Sequence, residues 1–194
     1  MSPTALHEIA DVQMGYSFRF GVEPAAHGPV GVIQMKDLGD DGSVALDSLT
    51  RVAMDVAPTH QVLAGDIILR SRGDRASSAI VADDPGRTLV AAPLLRIRVT
   101  DERVQPEYLN WYINQPPAQA HLAKHAEGSR VKMISKGALD ELEVDLPPLE
   151  RQAAIVGLAM LAGRAKTVES SLEKLRARLA SEVMLHYARG GEGR

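Results

Sequence analysis

The chain has 194 residues, of which 45% are hydrophobic and 24% charged, a size and balance that suit one globular domain with an appendage, or two small domains, around a real core. It has no cysteine, which excludes disulfides, zinc–cysteine sites and thiol nucleophiles and fits a reducing cytoplasm. A net charge of −3 weighs against a chain that grips nucleic acid unaided, because phosphate contacts call for an excess of Lys and Arg.

The opening Met1-Ser2-Pro3-Thr4 has neither a basic flank nor an apolar stretch, so no signal peptide is expected. No later apolar run reaches the roughly 20 residues that cross a bilayer, and the expected location is the cytoplasm. To about residue 100 the sequence reads as strands and turns. Residues 30–35 form a short apolar run, and Gly39-Asp40-Asp41-Gly42 supplies a turn. Gly65-Asp66 turns into the strand Ile67-Ile68-Leu69. Residues 78–82 and 88–92 flank Asp83-Asp84-Pro85-Gly86, a signal for a hairpin. Leu95-Arg96-Ile97-Arg98-Val99 alternates as a half-buried strand does, which puts Arg96 and Arg98 on an outer sheet face.

Pro106 opens a helical region, with Tyr108, Leu109, Tyr112 and Ile113 on one apolar face; Tyr108, Trp111 and Tyr112 read as core. Pro116-Pro117 breaks that helix and starts another to about Ala126. Gly128-Ser129 reads as a loop, Ser135 as the cap of a short helix through Leu139, and residues 142–146 as a strand. Beyond Pro147-Pro148 the sequence reads as one helix to about Tyr187. Leu158, Leu161, Ala165, Val168, Leu172, Leu175 and Leu179 recur in alternating steps of three and four, a heptad seam that buries itself only against another helix. At 1.5 Å per residue such a helix spans roughly 57 Å. The expected fold is α+β. A β-rich domain over residues 1–146 is followed by a long coiled-coil helix over 147–188, with a disordered tail over 189–194. There is no internal repeat.

The middle of the chain is its basic part. Residues 61–140 hold eleven basic and nine acidic side chains, against three and eight in residues 1–60 and eight of each in 141–194. A polyanion site should draw on this segment.

In order and spacing these blocks resemble the specificity subunits of type I restriction-modification systems. Glu8-Ile9-Ala10-Asp11-Val12-Gln13-Met14-Gly15-Tyr16-Ser17-Phe18-Arg19 is similar to the start of their target-recognition domain, and residues 32–38 to its next strand. Leu63-Ala64-Gly65-Asp66-Ile67-Ile68-Leu69 with Gly73 resembles their L-x-x-G-D-I-L…G block, and Tyr108-Leu109 their x-Y-L helix. Gly128, Ile134 and Leu139 fit the pattern before the next strand. Pro147-Pro148-Leu149-Glu150-Arg151-Gln152-Ala153-Ala154-Ile155 resembles P-P-L-x-E-Q-x-x-I, the junction into the spacer helix, with Glu150 and Gln152 one residue off the usual arrangement. The resemblance implies a non-catalytic subunit that reads double-stranded DNA as part of phage defence. Adenine methyltransferase subunits, and in some systems nuclease subunits, act as its partners. The usual subunit has two recognition domains and two helices; one of each implies a half-length form that pairs as a homodimer through the seam.

Three segments offer groups that can reach base edges and phosphates. They are Tyr16, Ser17 and Arg19; Arg70, Ser71, Arg72, Arg75 and Ser77; and Lys124, Ser129, Arg130 and Lys132, with His125 and Lys136 nearby. Arginine and lysine on loops are commonly just solvated, and Tyr16 either stacks on a base or plugs the core. His121 and His125 stand four apart but lack H-E-x-x-H and a third ligand, so no metal is expected. Asn114-Gln115-Pro116-Pro117 only faintly approaches the Asn-Pro-Pro-aromatic motif of amino methyltransferases. No Gly-rich turn for a cofactor accompanies it, and no cofactor is expected. The other reading is a coiled-coil scaffold or regulator, derived from a specificity subunit, that does not read DNA. The acidic first segment favours it.

Overall fold

The computed structural model describes residues 3–39, 41–73, 76–128 and 132–190. It divides into two compact units, the first ending at Val156 and the second beginning at Gly157. In chain order the first unit contains β1 (Thr4–Ala5), α1 (Leu6–Ile9), β2 (Ala10–Met14), β3 (Val30–Ile33), β4 (Thr50–Val52), β5 (Ile67–Arg70), β6 (Ser78–Ile80), β7 (Thr88–Val90) and β8 (Leu94–Val99). There follow α2 (Pro106–Ile113), α3 (Pro116–Lys124), α4 (Lys136–Asp140), β9 (Glu143–Val144) and the start of α5 (Leu149–Ala188). The expected α+β class with a long C-terminal helix is what the chain adopts.

A four-stranded sheet in the order β2-β8-β5-β6 lies at the centre, antiparallel throughout. One face packs under α1 to α4 through Val12, Ile67, Leu69, Leu95 and Ile97, which meet Tyr108, Leu109 and Leu122. The other face sends Ile68, Ala79 and Leu94 toward Ile33 and Val90 of a three-stranded sheet ordered β4-β3-β7. β5 is therefore covered on both sides, which is why it reads as the unbroken run Ile67-Ile68-Leu69 instead of an alternation. Beyond the smaller sheet, Val30, Val32 and Leu89 collect the half-buried Tyr16 and Phe18. Prolines start α2 and α3 at their first turn, where the missing N–H is harmless. Ser135 caps α4 by accepting the Ala138 N–H at 3.2 Å. Tyr108 donates its hydroxyl to the Asp145 carbonyl at 2.7 Å, and burial pushes its pKa up to about 12.

Two expectations are corrected. Residues 78–82 and 88–92 do not form a hairpin: β6 pairs antiparallel with β5, and β7 pairs parallel with β3. The turn through Gly86, at φ +61°, instead carries the chain from one sheet to the other. Turn chemistry specifies a reversal but not a partner, and here packing chooses. Val81 is fully buried between the sheets, its N–H on the Asp66 carbonyl, while the Thr88 carbonyl takes the Val62 N–H. Nor do Arg96 and Arg98 lie free on an outer face: Arg96 is buried and Arg98 only part-exposed. Arg96 is 5% exposed, beneath residues 59–66, and its guanidinium donates to the Thr59 and Gln61 carbonyls at 3.1 and 3.2 Å. Burial, and then the neighbouring Arg98 charge, lower its pKa. Arg98 forms a two-point pair with Asp66 at 2.7 Å for each bond, which raises its own.

The first turns of α5 belong to this unit. Gln152 is fully buried. Its carbonyl oxygen accepts the Gln105 N–H at 2.9 Å, and its amide donates to the Arg103 and Pro147 carbonyls, each at 2.8 Å. Gln152→Leu keeps the volume but strands all three backbone groups. At about 1 kcal/mol for each lost bond, we expect a loss of about 2–3 kcal/mol in urea unfolding. A change below 0.5 kcal/mol, on the order of ordinary surface scatter, would show that water replaces the amide.

In the second unit α5 continues as a single helix, and its seam lies open. Leu158, Leu161, Val168, Leu175 and Leu179 are each between 62% and 68% exposed, and Leu172 is 44% exposed. Among the described residues, no helix is long and apolar enough to cross a membrane.

Candidate nucleic-acid interface

Antiparallel pairing brings the C-terminal ends of β2 and β5 and the N-terminal ends of β6 and β8 to one edge of the central sheet. Arg70 pairs in register with Leu94, and the Gly15 N–H reaches the Leu94 carbonyl at 2.8 Å. The segments that leave this edge are those beginning at Tyr16 and at Ser71. A third arrives from much later in the sequence: the Ile134 N–H bonds the Ser71 carbonyl at 2.8 Å, and Met133 bridges both Arg72 and Glu127. Segments more than 100 residues apart thus share one end of the sheet. Between the second and third lies an open pocket of about 720 Å³, lined by Arg70, Gly73, Asn114, Gln119, Ile134 and Lys132.

The candidate side chains differ in what they are free to do. Arg70 is engaged, its guanidinium donating to the Met35 carbonyl at 3.3 Å and closely to that of Leu38. Ser71 is buried, its hydroxyl on the Pro93 carbonyl. Tyr16 is half-buried and meets the rings of Phe18 and His60 edge-on, at 5.0 and 5.8 Å between centroids. Ser77 is half-buried. Ser17, Arg19, Arg72, Lys124 and Lys132 are exposed, Arg72 with its Nε 3.5 Å from the Met133 sulfur. Arg75, Ser129 and Arg130 lie outside the described residues. His121 and His125 have ring centroids 4.3 Å apart, and each sets a ring nitrogen against a backbone carbonyl, of Ala138 and His121 respectively. Among the described residues, no group of three or more His, Asp or Glu side chains is placed to hold a metal.

The sequence reading missed three residues here. Asn114 and Gln119 point amides at this end of the fold; Gln119 holds the Ala76 carbonyl at 2.9 Å, and Asn114 exchanges bonds with Ser78. Phe20 is 84% exposed. Phe18 and Phe20 flank Arg19 alike, and nothing in the sequence says which of them is buried.

The family model for the type I restriction modification DNA specificity domain matches residues 2–158. The chain belongs to this family. A search of curated proteins returns no match. Among solved structures, the specificity-domain chain is similar to the HsdS subunit from Thermoanaerobacter tengcongensis, with a TM-score of 0.64 and 20% identity over 98% of this chain and 45% of that one. A structure describing complex assembly and conformational transition of the type I R-M system gives 0.63 and 18%, over 94% of this chain and 42% of that one. The S subunit from M. genitalium gives 0.57 and 13%, over 95% and 45%. At these identities the likeness is one of fold. The specificity-domain chain spans less than half the length of each of these relatives.

Proposed function

We propose that the chain reads DNA for a type I restriction-modification or methylation-only assembly. The edge of the sheet that carries Arg19, Arg72 and Lys132 is the reading surface, and methylation and cleavage are carried out by partner subunits. The convergence of the three segments on one sheet edge carries this reading. It puts exposed cations on a rigid support, where a loop cation can hold one geometry against a groove. Arg70 and Ser71 act one step back, fixing the backbone from which Arg72 projects. Two copies pair through the seam of α5 and so present two reading surfaces to a bipartite target. The open leucine row supports this, since an apolar stripe of this length is normally covered.

With a net charge of −3, the chain should bind duplex weakly alone and selectively once an adenine methyltransferase subunit joins. Titrations at several salt concentrations, with and without that subunit, test this. Tight selective binding by the isolated chain would contradict it, and no binding in either case would favour the scaffold reading. Substituting alanine at Arg72 or Lys132 should impair target methylation and leave dimerisation intact. A base-reading arginine should lose about 1–3 kcal/mol at one base position. A phosphate contact should weaken all sequences alike and reduce the salt slope by about one. Alanine at Arg176 and Arg178 should leave base preference unchanged.

A further inference from the structure

The chain has two phenylalanines, and they have opposite fates. Phe18 packs with Tyr16 and Val22 beneath the three-stranded sheet. Phe20, at 84% exposure, is the most exposed large hydrophobic side chain among the described residues. Between them the backbone folds back, the Gly21 N–H meeting the Phe18 carbonyl at 3.4 Å. Gly21 has φ +84°, a conformation that glycine adopts without strain. Phe20 therefore stands at the tip of a tight turn.

The root of that turn is tied down. The Tyr16 N–H bonds the Val90 carbonyl at 2.7 Å, and the Ala92 N–H bonds the Tyr16 carbonyl at 2.9 Å. Gly15 lets the strands approach this closely, since a Cβ there would lie 2.6 Å from the Ala91 carbonyl carbon. The turn borders a shallow pocket of about 310 Å³, lined by Phe18, Gly21, Gln34, Met35 and Pro93. The carbonyls of Met35 and Pro93 are those held by Arg70 and Ser71. The turn and the segment bearing Arg72 are thus neighbours across two shared residues. Phe20 has the exposed Arg19 beside it, and the exposed Glu23 three residues on.

An apolar ring that no neighbour covers, next to a solvent-facing guanidinium on an anchored turn, suits a duplex whose base step can open. The ring takes the exposed face of the step, and the cation takes the adjacent phosphate. We infer that Phe20 is a wedge that inserts against one base step of the target, with Arg19 on the flanking phosphate. This rests on the DNA-reading function proposed above and adds a source of selectivity that needs no base-edge hydrogen bond. Pyrimidine–purine steps open most easily, so the wedge selects for one at its position.

The test uses the full chain assembled with its adenine methyltransferase partner. A pool of 40-bp duplexes, randomised over the central 20 positions, is enriched on the wild-type complex and on the Phe20→Ala, Phe20→Trp and Arg19→Ala complexes. 2-Aminopurine is then placed through the enriched site. Wild type and Phe20→Trp should enrich the same site and raise the fluorescence at one step. Phe20→Ala should lose that signal and the preference at that step alone, bind at least tenfold more weakly, and keep the wild-type salt slope. Arg19→Ala should flatten the slope. Phe20 is 84% exposed, so the Ala variant gives up little buried surface and should fold as wild type does. Binding of Phe20→Ala within twofold of wild type, with the signal intact, overturns the wedge and leaves the DNA-reading function standing. Loss of methyltransferase association in Phe20→Ala also overturns it, and makes the ring a protein contact. A wild-type complex that enriches no sequence overturns both.

Discussion

Replacing Asp66 with alanine should lower the stability of the first unit by about 3 kcal/mol, near the bottom of the range for breaking a buried charge pair. The carboxylate is almost wholly enclosed, its side chain 2% exposed, while that of Arg98 is 30% exposed. One oxygen takes the Arg98 Nε at 2.7 Å; the other takes the Arg98 Nη2 at 2.7 Å and the Leu63 N–H at 2.8 Å. Removing it leaves a guanidinium with only the Gln61 carbonyl and partial access to water, and a half-buried N–H with no acceptor. Water reaching Arg98 is the reason to expect the lower end of the range. Asp66→Asn retains one acceptor but turns an amide N–H toward the guanidinium, so about half the loss is expected. Urea unfolding at neutral pH measures both. For a chain of this size the alanine variant should also melt roughly 6–12 °C lower. A loss under 1 kcal/mol would mean that the pair is screened in solution and that the Gly65-Asp66 turn holds without it.

Changing both Leu172 and Leu175 to glutamate should abolish the homodimer proposed above. Each of the four leucines removed from a two-fold interface would have contributed at least about 1.5 kcal/mol by leaving water. Their loss totals about 6 kcal/mol, a weakening on the order of 10⁴-fold before any charge repulsion. Sedimentation at micromolar concentration should show a monomer, or the protein should precipitate. The first unit should keep its unfolding midpoint, because both positions lie in the second unit. A soluble dimer of unchanged affinity would place the interface elsewhere. Leu172→Ala alone, a smaller cavity in the same seam, should weaken the dimer by an intermediate amount.

What was legible in the sequence was what local chemistry decides. Pro106, Pro116 and the pair Pro147-Pro148 each mark a helix start because proline tolerates only the first turn. The leucine row gave the long helix nearly to its last residue. The failures came where the partner is remote. Asp83-Asp84-Pro85-Gly86 reads as a hairpin, yet its two flanks join different sheets. Arg96 alternates with apolar neighbours as an outward residue would, yet a second layer of chain lies over it. For the proposed reading surface, charge in the sequence picked out the candidate segments, but it could not say that Ser71 is buried or that Phe20 is bare. Those facts depend on which carbonyls happen to stand within reach once the sheets have packed.

The polar side chains that secure the irregular segments mostly grip main-chain oxygens. Arg70 holds the carbonyls of Met35 and Leu38, Arg96 those of Thr59 and Gln61, Arg98 that of Gln61, Gln119 that of Ala76, and Ser71 that of Pro93. Every amino acid carries that oxygen. The clamps sit on the framework, and what they clamp is indifferent to the identity of the residue held. The side chains displayed at the edge of the sheet can therefore be exchanged wholesale while the backbone beneath them stays where it is. On the DNA-reading function proposed above, the residues that grip the backbone and the residues that carry the text are separate sets.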